Sequence, residues 1–88
     1  MKQDSKKQIQ NRLKRIEGQI RGLQKLIEED AYCIDVITQT SAVRSALKSV
    51  ENVLLESHLS TCVVHQIQSG KQKKAVEEIL KVYKLKNK

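Results

Sequence analysis

Apolar residues recur at Ile9, Leu13, Ile16, Ile20, Leu23 and Ile27, in alternating steps of four and three. That is the a/d stripe of an amphipathic helix sustained over about three heptads. Asp4 or Ser5 is placed to cap its start. Gly18 and Gly22 lie four apart on one face; either they let a second backbone come close, or the helix simply tolerates them. The stripe breaks at Glu28-Glu29-Asp30-Ala31-Tyr32, where Asp30 is a candidate cap for the next helix. A second stripe runs through Val36, Thr40, Val43, Leu47, Val50 and Leu54, with no Gly or Pro from Cys33 to Ser69. Its centre is rich in small residues: Ser41, Ala42, Ser45, Ala46 and Ser49. Gly70 is positioned to end it as a left-handed C′ residue. A third helix, from about Lys71 to Leu85, places Val76, Ile79, Leu80 and Tyr83 on one side, with Lys84 to Lys88 expected to fray.

The middle helix changes the picture most. At about 1.5 Å per residue, roughly 36 residues span roughly 54 Å. An 88-residue chain forms one domain, here residues 1–88, and such a helix outruns it. The chain has no Phe or Trp, two Cys and no Pro. A domain of this size buries only about 60–65% of its unfolded surface, so stability must come from helix packing, a partner or a ligand. The expectation is an all-α, three-helix protomer whose long central helix packs on a second copy. No apolar run approaches the ~20 residues of a membrane span, and MKQDSKKQIQ has no signal-peptide character. The expected setting is cytoplasmic, without a membrane partner.

Charge is segregated. Residues 1–27 carry +6, residues 28–69 carry −4 and residues 70–88 carry +5, making up the net +7. Basic ends of this density suit a polyanion, because each neutralised phosphate releases counterions. The bland reading is a solvated surface that keeps the protein soluble. The scarcity of aromatics disfavours stacking on single-stranded bases and points to duplex DNA. Nothing resembles an acid/base pair beside a nucleophile or a phosphate loop, so no enzyme is expected.

His58 and Cys62 are four apart on the long helix and share one face. That spacing suits two ligands of one metal, and equally a core histidine beside a small buried cysteine. Cys33 lies 25 residues earlier, roughly 37 Å along a straight helix, so one chain cannot bring all three together. In an antiparallel homodimer, Cys33 of one copy meets His58 and Cys62 of the other when the two-fold axis falls at about residues 46–47. That point is the small-residue stretch, where helices approach most closely. Two thiolates and an imidazole make a soft site favouring Cu(I), with Zn(II) as competitor. Zn(II) prefers a fourth ligand. His65, one turn beyond Cys62, is either that ligand or a solvated surface residue.

With these residues in place the chain resembles the CsoR/RcnR family, the copper-sensing operon repressors and their relatives. The likeness covers nearly the whole chain. It is carried by Asn11-Arg12-Leu13-Lys14-Arg15-Ile16-Glu17-Gly18-Gln19-Ile20-Arg21-Gly22, by Cys33-Ile34-Asp35-Val36-Ile37-Thr38-Gln39 and by His58-Leu59-Ser60-Thr61-Cys62-Val63. The resemblance implies a disc-shaped tetramer built as a dimer of antiparallel helical dimers, binding operator DNA without a helix-turn-helix. It implies one Cu(I) per protomer, held by Cys33, His58 and Cys62 across the dimer interface, with Tyr32 and Glu78 as outer partners. It further implies that Cu(I) lowers DNA affinity and releases copper-export genes. The Cys-His-Cys set matches the copper-sensing branch: nickel/cobalt sensors carry His in place of the last Cys, and persulfide sensors lack this His. Arg12, Lys14, Arg15, Gln19 and Arg21 are the expected DNA contacts, with the resemblance favouring Arg12, Arg15 and Gln19, and Lys71, Lys73 and Lys74 as further phosphate contacts. The rival expectation is a persulfide- or thiol-redox-sensing repressor of the same fold, since two cysteines meeting at an interface can be linked by oxidation.

Overall fold

The computed structural model describes residues 3–88. All regular structure among them is helical: α1 (Gln3–Glu28), α2 (Cys33–Ser57), a π-helical segment (His58–Val63), α3 (Val64–Gln68) and α4 (Gln72–Lys86). The chain divides into two compact units, residues 1–55 and residues 56–88.

In the first unit α1 packs on α2 through Ile9, Ile16, Val43 and Val50, with Leu23, Ala46 and Val53 against them. The α1 stripe therefore divides by heptad position. Ile9, Ile16 and Leu23, seven apart, face α2. Leu13, Ile20 and Ile27, also seven apart, are exposed, the last at 63%. The α2 stripe divides in the same way: Val43 and Val50 are buried, whereas Thr40, Leu47 and Leu54 are exposed. One layer of each stripe suffices to join two helices, and the other is left uncovered by the chain itself. Gly18 and Gly22 meet no atom within 4 Å of an added Cβ, so no backbone of this chain approaches them.

Two helix ends share one chemistry. At the end of α1 the amides of Asp30 and Ala31 donate to the carbonyls of Ile27 and Leu26, at 3.2 and 3.0 Å. At the end of α3 the amides of Gly70 and Lys71 donate to Ile67 and Gln66, at 3.1 and 2.7 Å. Both are Schellman closures with a left-handed C′ residue, Asp30 at φ 54 and Gly70 at φ 78. Gly70 thus ends its helix as expected. Asp30 does not cap α2; it closes α1, because Asp tolerates the left-handed region better than most side chains. The carbonyl of Tyr32 starts α2 instead, accepting from Asp35 at 2.9 Å and Val36 at 3.3 Å. Asp4 and Ser5 lie inside α1 rather than ahead of it, so neither is its cap.

The long central helix is helical throughout from Cys33 to Gln68, but it is not α-helical throughout. It widens over His58–Val63. There the hydroxyls of Ser60 and Thr61 both donate to the Ser57 carbonyl, at 3.3 and 2.6 Å. Such back-bonding competes with the backbone ladder, but the same bonds from Thr38 and Thr40 to Ile34 and Val36 leave α2 regular, so they accompany the π turn rather than account for it. In the second unit α3 packs against α4, with Val63 and Ala75 buried. α4 continues to Lys86 instead of fraying at Lys84, and Asn87 closes it by donating its side-chain amide to the Tyr83 carbonyl at 2.9 Å.

Candidate metal centre and basic face

The π-helical segment carries two of the three expected metal ligands. His58 and Cys62 both lie on it, four residues apart. The imidazole Nε2 of His58 lies 3.2 Å from Glu78 Oε2 on α4, with both side chains a little over one-third exposed. In the neutral imidazole a carboxylate at this distance, which can only accept, favours the proton on Nε2 and leaves Nδ1 as the lone-pair donor. Cys62 is a free, exposed thiol, and its sulfur lies 3.7 Å from the Thr61 hydroxyl oxygen. A soft sulfur and an imidazole nitrogen, four residues apart on this segment, are donor types that soft or borderline metals accept.

The third expected ligand, Cys33, is a free, exposed thiol at the head of α2. Tyr32 precedes it and is 69% exposed. Among the described residues no group of three or more His, Cys, Asp or Glu side chains is gathered to hold a metal. His65 sits on α3 as an exposed side chain.

Gln66 is the partner that the sequence reading missed. Its amide Nε2 donates to the same Glu78 oxygen that His58 uses, at 3.4 Å. The available signal was spacing: Gln66 follows Cys62 by four and His58 by eight, so it continues their face.

The five basic-face residues of α1 fall into two sets. Arg12, Arg15 and Gln19, spaced three and four apart, line one open depression with Ile16, Ala46 and Ser49. The Arg12 guanidinium donates to the Ser49 hydroxyl across the α1–α2 contact, which holds this half-buried cation in place. Ser49, read from sequence only as a small residue, thus has a polar role. Lys14 and Arg21 do not line the depression; both are exposed. Arg21 pairs with Glu17 one turn earlier, at 3.1 Å. Surface pairs of that kind contribute little. α4 opens with Lys73 and Lys74 and has no acidic residue in its first turn, opposite to what the helix dipole favours.

Comparison with known proteins adds to this geometry. The model of a family described as metal-sensitive transcriptional repressor matches residues 5–84. The chain is 52% identical over 79 residues to the copper-sensing transcriptional repressor CsoR of Bacillus subtilis, covering 90% of this chain and 78% of that protein. It is 59% identical over 59 residues to the copper-sensing transcriptional repressor RicR of Mycobacterium tuberculosis, covering 67% of this chain and 62% of that one. The crystal structure of the copper-sensing repressor CsoR with Cu(I) from Geobacillus thermodenitrificans superimposes with a TM-score of 0.93. It is 41% identical, and the match covers 100% of this chain and 92% of that one.

Proposed function

Since the chain belongs to the metal-sensitive transcriptional repressor family, we propose that it is a copper(I)-responsive repressor of copper-export genes acting in the cytoplasm. The observation that carries this reading is the His58–Glu78 contact at 3.2 Å. It leaves Nδ1 as the free donor on the same π-helical segment as the Cys62 thiol. The donor types fit Cu(I), which accepts thiolate and imidazole at low coordination number. His58 and Cys62 of one protomer and Cys33 of another would hold one Cu(I) per protomer, with Tyr32 and Glu78 as outer partners. A Cu(I) held there would bridge Cys33 of one protomer to His58 and Cys62 of another. Deprotonated Cys33 and Cys62 and neutral His58 are the forms that bind it.

The uncovered half of each stripe supports self-association: Leu13, Ile20 and Ile27 on α1, and Leu47 and Leu54 on α2, are exposed. An antiparallel dimer about Ala46 and Leu47 covers the α2 half and brings Cys33 to the partner's site. Two such dimers make the disc-shaped tetramer, each chain one metal-sensing and DNA-binding domain over residues 1–88. Operator DNA takes the basic face, with Arg12, Arg15 and Gln19 as the ordered contacts and Lys14 and Arg21 beside them. Duplex phosphates also offset the cations at the start of α4, Lys71, Lys73 and Lys74. Copper and DNA oppose one another through a reciprocal coupling of about 1–3 kcal/mol.

X-ray absorption of the copper-loaded protein tests the site: two sulfurs and one nitrogen around one Cu(I) per chain are expected. Tetrahedral Zn(II) bound more tightly than Cu(I) contradicts it. The two free, exposed thiols favour one second reading, a thiol- or persulfide-sensing repressor. A Cys33–Cys62 link between chains after persulfide exposure, seen by mass spectrometry and accompanied by DNA release, identifies it.

A further inference from the structure

We propose that Gln66 is a positioning residue: it holds the Glu78 carboxylate in the orientation that orders the His58 imidazole, and so sets which ring nitrogen faces a metal. Glu78 reaches His58 from α4, and both are partly exposed. A carboxylate on a flexible side chain in that setting has several rotamers open to it. Gln66, on α3, donates to the same Oε2 at 3.4 Å, the long end of the hydrogen-bond range. The carboxylate oxygen is thereby flanked by two nitrogens from two different elements.

The orientation of the Gln66 amide is dictated by this contact. Reversing it would set Oε1 against the carboxylate, acceptor against acceptor. An amide here is costly, because Gln66 Oε1 is the one buried side-chain oxygen or nitrogen without a partner among the described residues. A buried, unpaired acceptor lowers stability. Methionine has nearly the same length and volume and carries no such penalty, so packing alone does not call for glutamine here. The Glu78 contact is what the amide accomplishes. Its purpose rests on the copper-sensing reading, but its geometry does not.

The test compares wild-type protein with Gln66→Met. Nitrogen-15 NMR of the metal-free protein, taken up in pH until the ring signals no longer move, reads the tautomer of neutral His58. Wild type is expected to show His58 protonated at Nε2. Gln66→Met is expected to melt no lower than wild type and yet to give a mixed tautomer signal. Its Cu(I)-linked loss of DNA affinity should shrink by about tenfold, the lower end of what outer partners of a metal ligand carry. Gln66→Lys, which restores a donor of similar reach, is expected to recover the wild-type tautomer. If Gln66→Met melts lower, Gln66→Lys against Gln66→Glu decides between donor and repulsion: Lys keeps the Nε2–H signal and Glu loses it. A wild-type tautomer in Gln66→Met, or no recovery in Gln66→Lys, overturns the assignment. If wild-type protein shows no Cu(I)-linked DNA release, the sensor reading fails, and the apo tautomer comparison still decides the role of Gln66.

Discussion

Glu78 Oε2 stands 3.2 Å from His58 Nε2, joining α4 to the π-helical segment through one carboxylate. A carboxylate 20 residues downstream in sequence thus lies within reach of the imidazole. Its removal is expected to leave the histidine in place but unoriented. Glu78→Ala is expected to weaken Cu(I) binding by about 10–100-fold, as loss of an outer partner does, while apo-protein binding to DNA is retained. Competition against a Cu(I) chelator measures the first, and a mobility shift without metal measures the second.

Arg15 lines the α1–α2 depression beside Arg12 and Gln19. Charge reversal there, Arg15→Glu, is expected to weaken DNA binding across sequences and to flatten its salt dependence. The slope of log K against log salt should fall by at least about 1. Cu(I) affinity, measured in the same preparation, should not move.

The split heptad gives paired outcomes on one helix. Ile16 is 4% exposed and Ile20 is 45% exposed. Ile16→Ala opens a cavity in the α1–α2 core and is expected to cost about 2–5 kcal/mol, read as a lower thermal midpoint. Ile20→Asp removes apolar surface that stands exposed on α1 and that the proposed self-association would cover. It is expected to leave the helical signal intact and to shift the sedimentation profile toward smaller species.

Gly70 and Asp30 close their helices with positive φ. Gly70→Ala forces a Cβ into that conformation and is expected to destabilise by about 1–2 kcal/mol. Asp30→Gly relieves the same strain and is expected to be neutral or stabilising. Thermal denaturation of both variants checks the pair of signs.

Much of this was legible in the sequence, for identifiable reasons. The 3–4 periodicity located α1, the central helix and α4 because burial of one stripe dominates helix placement. Gly70 marked its C′ position because few other residues adopt positive φ at low cost. Asp30 was misplaced because the same side chain serves as an N-cap and as a left-handed C′ residue, and only the hydrogen bonds of Ala31 and Val36 tell the two apart. The π turn at His58–Val63 was invisible to periodicity. It is a matter of which carbonyl each backbone amide pairs with, and side-chain spacing does not report that. Gln66 and Ser49 were passed over because a polar side chain's partner is a tertiary fact: Glu78 for one, Arg12 for the other.

The most direct measurement of the central claim is a DNA mobility shift on a duplex selected from genomic DNA by the apo protein, with and without one equivalent of Cu(I), for wild type and His58→Ala. The account predicts that Cu(I) releases wild-type protein from the duplex. His58→Ala should bind DNA as tightly as wild type and release it weakly. Equal Cu(I)-driven release from both proteins, or no release from wild type, would contradict it.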